Sequence, residues 1–146
     1  IVEYSITPWT YDEETTEIAK RYSLLHFSLG SYYVSLAINA KEKGDPIVCP
    51  LVLRYPEDEN CSCINDEYLI GNLLVAPVIK KNHDEREVYL PRGVWLDFWS
   101  DEKIEGPKTV TTEASLERLP LYIETQDSSL IAAMKKAKKK VFKDKQ

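Results

Sequence analysis

The sequence has little of what most chemistry-bearing motifs require. Five glycines are scattered singly through 146 residues, with no cluster that could wrap a phosphate, so a nucleotide-binding loop is excluded. Two histidines, His26 and His83, leave little material for acid–base or metal chemistry. No Gly-x-Ser-x-Gly elbow and no paired Cys and His occur, so a nucleophilic hydrolase of either kind lacks its signature. Apolar runs stop far short of the ~20 residues that a membrane helix needs. The first residues, Ile1-Val2-Glu3-Tyr4, lack the basic stretch and apolar run of a secretory leader. The first residue is not Met, a hint that the sequence is a piece of a longer chain.

Three cysteines (Cys49, Cys61 and Cys63) cannot all pair, and Cys-x-Cys plus one distant partner is not a secreted disulfide framework. With His83 they number four, as a zinc site needs, but a single intervening residue is tighter than the usual ligand spacing. They are read as free thiols, with no metal and no cofactor, and they tilt the compartment slightly toward a reducing, cytoplasmic one.

What is present is apolar surface: 43% hydrophobic and 10% aromatic residues, enough for a packed core. The net charge of −5 is unevenly spread. Lys135 to Gln146 carry seven Lys and one Asp, so that +6 taken from −5 leaves −11 for residues 1 to 134. An acidic body is a poor nucleic-acid partner, because phosphate attraction needs clustered positive charge. The basic tail reads as a solvated, frayed end, although Ala132, Met134, Ala137, Val141 and Phe142 give it a weak apolar face.

The pattern changes near residue 56. Thr10 followed by Glu13 fits a capping box, with Asp12 and Glu14 where a helix N-terminus favours negative charge. Ile18, Tyr22, Leu25, Leu29, Tyr32 or Tyr33, and Leu36 recur at three- and four-residue steps. Gly44 and Pro46 supply the stop. The expectation is one helix from Asp12 to Lys43, kinked at Gly30-Ser31, too long and too apolar to stand alone. Pro50 to Pro56 reads as extended, Glu57 to Asn60 as an acidic turn, and Leu73 to Ile79 as a buried strand. Glu87 to Leu90 and Val94 to Trp99 flank Pro91-Arg92-Gly93, which reads as a hairpin turn. Lys108 to Glu113 and Leu119 to Ile123 complete an antiparallel sheet or sandwich.

Among many acids, the best catalytic candidates are Asp66, ahead of an apolar run, and Asp97, within Trp95 to Trp99. Glycoside cleavage needs two carboxyl groups held ~5–10 Å apart across the bond. The remaining acids fall in a helix start (Asp12, Glu13, Glu14), a turn (Glu57, Asp58, Glu59) and a charged loop (Asp84, Glu85), where capping and solvation explain them. Trp95, Phe98 and Trp99 offer a platform for a sugar ring; alternatively, Trp95 and Trp99 share a strand face and fill a core.

The blocks themselves resemble glycoside hydrolase family 31. Arg21 to Leu36 is similar to that family's Leu-Arg-Tyr-x-Leu-Leu helix, and Gly44 to Leu51 to its Gly-x-Pro-x-x-Arg-Pro-Leu. Tyr55-Pro-Glu-Asp58 continues in register, as do Asp66 to Gly71 and Leu73 to Val78. Leu90 to Trp99 resembles Leu-Pro-x-Gly-x-Trp-x-Asp-Phe-Trp, and Leu119 to Ile123 the strand after it. The agreement in order and spacing spans residues 8 to 123.

The resemblance implies an α+β chain from the carboxy-terminal part of a retaining α-glycosidase acting on α-linked glucosides or xylosides. Residues 1–60 would form the last helix and exit segment of a (β/α)8 (TIM) barrel, 61–130 the proximal β-sandwich, and 131–146 a basic tail. The family's nucleophile, acid/base and substrate-binding histidine lie upstream of Pro8-Trp9, so no residue here inherits a catalytic role. The expected partner is the rest of the barrel, on the same or a separate polypeptide. The competing reading is a non-catalytic module that binds carbohydrate or protein. Departures occur at His26 and Cys49, where the family has Arg, and at Gly30 and Ser31 in place of Leu-Pro. After Ile123, Glu124 to Leu130 replaces Arg-x-Gly-Ser-Ile-Ile-Pro, which points to a divergent relative.

Overall fold

The computed structural model describes residues 6–79 and 84–142. A turn at Pro8–Thr10 leads into helices α1 (Glu13–Ser28) and α2 (Gly30–Lys43), then strand β1 (Val48–Pro50) and a short helix α3 (Leu51–Arg54). Strands β2 (Tyr68–Ile70), β3 (Leu73–Val75), β4 (Glu85–Asp97), β5 (Lys103–Glu113) and β6 (Leu121–Glu124) follow, and helix α4 (Ser128–Val141) closes the chain. The strands form one six-stranded sheet in the order β1-β2-β3-β6-β4-β5. Every pairing is antiparallel, so the chain is α+β, with helices ahead of an antiparallel β-module.

The helical region is two helices rather than one. The break falls at Leu29 (φ −94°, ψ 10°), whose N–H reaches back to the His26 carbonyl at 3.1 Å, and Gly30 starts α2 beside the expected kink. Glycine interrupts because it holds a helical backbone less well than other residues. The N-cap of α1 is Asp12, not Thr10: Asp12 Oδ1 accepts the Thr15 N–H at 2.6 Å. Thr10 instead closes the preceding turn, donating to the Thr7 carbonyl at 2.6 Å. Gly44 ends α2 in a left-handed conformation (φ 79°), as expected of a helix C-terminus.

Three strand expectations are corrected. Pro50 to Pro56 is not extended, because α3 coils within it and seats Leu51 in the core with no exposed surface. The Leu73 to Ile79 strand stops at Val75, where the chain leaves the sheet. Pro91-Arg92-Gly93 is no hairpin turn: β4 continues through it without reversing, and the register with β5 shifts between Leu90 and Gly93. The turn lies further on, at 98–102, where Asp97 Oδ1 accepts the N–H groups of Trp99 (2.6 Å) and Ser100 (3.0 Å). Opposite the irregularity stands Gly106, where an added Cβ would fall 2.7 Å from the Leu90 carbonyl oxygen. The hairpin bends at this point and folds its first half back over the sheet.

Two apolar layers result. Leu73, Val75, Leu96, Phe98, Leu121 and Ile123 face the helices, meeting Leu25 and Leu29 on one side and Leu130, Met134 and Ala137 of α4 on the other. Leu69, Leu74, Trp95 and Tyr122 face the opposite way, against the folded-back Val88, Tyr89 and Leu90 with Leu51 and Cys61. The frayed-tail expectation is therefore overturned for its described part. Three consecutive core-facing turns, Leu130, Met134 and Ala137, fasten α4 down, and Asp127 caps it through the Leu130 N–H at 2.9 Å. Burial of each large apolar side chain stabilises by roughly 1.5–3 kcal/mol.

Candidate functional site

The acids singled out in the sequence have structural partners. Asp97 is buried and caps the β4–β5 turn. Asp66 is half-buried and pairs with Arg86, its Oδ2 3.1 Å from Nη2. Of the aromatic platform, Trp95 is fully buried and donates its Nε1–H to the Pro91 carbonyl at 2.8 Å. Trp99 donates its own to the Leu119 carbonyl at 2.8 Å. The two do not share a face: β4 ends at Asp97, so Trp95 enters one layer while Trp99, within the turn, joins the other. There it stacks edge-on against Phe98 (4.9 Å between centroids) and Phe142 (5.0 Å). The platform is a core.

His26 lies against Tyr33, with ring centroids 4.6 Å apart, and His83 lies outside the described residues. The cysteines are free thiols. Burial, with Asp58 nearby, pushes the Cys61 thiol up to about 11, and burial also raises Cys49, which keeps both in the unreactive thiol form. Among the described residues, no three His, Cys, Asp or Glu side chains converge where a metal ion would sit.

Two surface features remain. The first is apolar and lies on the helices. Leu24, Phe27, Val34 and Ile38 recur at steps of three, seven and four residues, so they form a second stripe on the side of α1–α2 away from the core. They are 42%, 80%, 61% and 51% exposed. Trp9 and Tyr11, ahead of α1, and Leu53 in α3 are also exposed. Exposed apolar residues scattered singly are ordinary, but their repetition at helical spacing on both α1 and α2 marks a contact surface. The signal was present in the sequence as an apolar helix with two greasy faces, of which periodicity picks out only the stronger.

The second feature is a groove of about 1000 Å³, of mixed polar and apolar lining, between the 59–67 segment and β4–β5. At its wall Glu67 is 4% exposed. Its Oε1 accepts the Tyr89 N–H at 2.9 Å and lies 3.5 Å from Arg86 Nη2, while Oε2 has no protein partner. Burial pushes this carboxyl up to about 7, against the lowering pull of the Tyr89 N–H and of Arg86. Arg86 also donates to the carbonyl of Pro77 and, at 3.1 Å, to that of Glu87. Nearby, the Tyr89 hydroxyl donates to Asp58 Oδ2 at 2.6 Å, and this bond holds the Asp58 carboxyl below its usual range. Sequence reasoning picked Asp66 and passed over Glu67; nothing in one-dimensional pattern separates the buried acid from its exposed neighbour.

These observations define a class: a β-module fronted by paired helices that present an apolar face. The chain belongs to glycoside hydrolase family 31. The profile of the "Glycosyl hydrolase family 31 C-terminal domain" matches residues 44–127. Alpha-glucosidase 2 of Bacillus thermoamyloliquefaciens is 34% identical over 131 residues, covering 89% of this chain and 17% of that protein. An alpha-xylosidase of Saccharolobus solfataricus is 33% identical, covering 81% of this chain and 16% of that one. The solved structure of a family 31 dextranase from Flavobacterium johnsoniae, complexed with glucose, superposes with a TM-score of 0.80 at 32% identity, over 84% of this chain and 15% of the other. The chain thus spans less than a fifth of the length of each of these relatives. Among the described residues, no helix is long and apolar enough to cross a membrane.

Proposed function

We propose that this chain is the carboxy-terminal portion of a retaining α-glycosidase that acts on α-linked glucosides or xylosides, and that it braces the catalytic barrel without supplying the catalytic aspartates. The observation that carries this reading is the unpartnered stripe Leu24–Phe27–Val34–Ile38. In the proposed arrangement α1 and α2, within residues 1–60, are the last helical layer of the barrel, and the stripe packs on its preceding elements. The β-module of residues 61–130 then fixes those helices from behind. Tyr22 and Tyr32 support this role, since each ties a helix to the sheet side. The Tyr22 hydroxyl accepts the Leu119 N–H at 2.7 Å, and the Tyr32 hydroxyl accepts the Asn72 N–H at 2.8 Å. The family's named relatives include α-glucosidases and an α-xylosidase, which supplies the substrate class. Carbohydrate binding through Trp95 and Trp99 has no support, because Trp95 is fully buried and the Trp99 ring is taken up by Phe98, Phe142 and Arg118.

The experiment has two arms. The chain alone is expected to give no turnover of nitrophenyl α-glucoside or α-xyloside above buffer. Co-produced with the upstream barrel segment of a family 31 enzyme, it is expected to co-purify, and Phe27→Asp with Val34→Asp to abolish that capture. Turnover by the pure chain, or capture indifferent to the stripe, refutes the brace.

A further inference from the structure

The Glu67 site holds an imbalance that the fold has not removed. Two adjacent carboxylates, Asp66 and Glu67, share the single guanidinium of Arg86. Asp66 takes the shorter contact (3.1 against 3.5 Å) and keeps a side chain 32% exposed, while that of Glu67 is 2% exposed. An ionised Glu67 therefore buries charge on Oε2 with no protein donor to meet it. The surrounding geometry is that of a fastening. Glu67 receives the backbone N–H of Tyr89 and Arg86 of β4 reaches the Asp66 carboxylate, so both hold the segment leading into β2 against β4, while Arg86 also bonds the carbonyl of Pro77, just past β3.

We propose that Glu67, Asp66 and Arg86 form a proton-operated clamp, which fastens the 58–67 segment to β4 while Glu67 carries a proton and slackens when Glu67 ionises. The clamp lies inside the module and stands whether or not the apolar stripe meets a barrel.

Several elements present titratable or charged groups to Glu67. From β4 come Arg86 and Tyr89, the latter's hydroxyl raised to about 12 by burial and the Asp58 bond. From the 59–62 turn comes the Cys61 thiol, at about 11, and from the residue capping that turn Asp58, held below its usual range. From β6 comes Tyr122, raised to about 12 chiefly by burial. Asp66 lies beside it on its own segment, and Glu59, Glu85 and Glu87 share the groove. A carboxyl moved from 4.5 up to about 7 favours the folded, protonated form. Its stabilising contribution is complete below pH 4.5 and is lost as pH rises toward 7.

Hydrogen exchange of the full chain, read by mass spectrometry between pH 5 and 8 and corrected for intrinsic exchange, tests this. In peptides covering 58–70 and 85–92, the opening constant is expected to rise by up to about tenfold per pH unit between pH 5 and 7 and then to level off. Glu67→Gln, which keeps the shape and abolishes the charge, is expected to give a low, flat profile. A flat wild-type profile overturns the clamp even if the variant fails to fold. So does a Glu67→Gln profile as steep as wild type, or a rise spread equally over α1 and α2, which would be global rather than local opening.

Discussion

Met134→Ala tests whether the lysine-rich end of the chain is structure or fringe. Met134 has no exposed surface, and it shares its layer with Leu25, Leu29, Phe98, Leu130 and Ala137. Truncating a fully enclosed methionine loses its transfer energy and leaves a void, at a cost of about 2–5 kcal/mol. Both sides of the void are regular elements, α4 and the sheet, which limits collapse and favours the middle of that range. For a chain of this size, ~3 kcal/mol corresponds to a fall of about 6–12 °C in Tm. Urea unfolding followed by far-ultraviolet circular dichroism would report the same loss as a lower midpoint at an unchanged slope. Lys136→Ala, on the exposed side of the same helix, is the control and is expected to stay within about 0.5 kcal/mol. If Met134→Ala falls within that same margin, or α4 melts in a separate early transition, the packing assigned to α4 is wrong.

Other expectations follow from single contacts. Gly106→Ala drives a Cβ against the Leu90 and Pro91 carbonyls, so a loss of about 3 kcal/mol or more, or failure to accumulate as soluble protein, is expected in expression and melting assays. Asp97→Ala strips the cap from the β4–β5 turn and removes the acceptor of two part-buried N–H groups; a loss of about 1–3 kcal/mol in urea unfolding is expected, with near-neutrality counting against the turn assignment. Replacing Leu24, Phe27, Val34 and Ile38 together by Ser should reduce self-association of the isolated chain in sedimentation velocity, while Tm stays within a few degrees because none of the four is in the core.

How far the sequence could be read depended on whether the decisive contact was local. The core face of α1–α2 followed from the spacing of Tyr22, Leu25 and Leu29, and the Gly44 stop from its lack of a side chain. The strands that were missed, β1 and β2, are three residues each, too short for alternation to show. Pro91-Arg92-Gly93 carries real turn chemistry, yet Gly106, fifteen residues away from Pro91, sets a bend there instead. Propensity lost to a long-range contact. The same holds for the tail, where a run of lysines outweighed Leu130, Met134 and Ala137 in composition although three apolar positions on one helical face were enough to seat it. Asp66 was chosen over Glu67 because nothing local reveals which of two neighbouring acids will be covered by β4.

The bent hairpin has a consequence for how this module tolerates changes of length. Its far half, through Val88, Tyr89 and Leu90, roofs one face of the sheet, while its near half, Trp95 to Asp97, is stitched to β6. Roof and floor are thus one unbroken ribbon. A single residue inserted before Pro91 would leave the near half in place and turn the roof's side chains inside out, sending Val88 and Leu90 to solvent. Gains and losses of sequence can accumulate in the loops around the sheet, but the count of residues from Glu85 to the bend behaves as a fixed gauge.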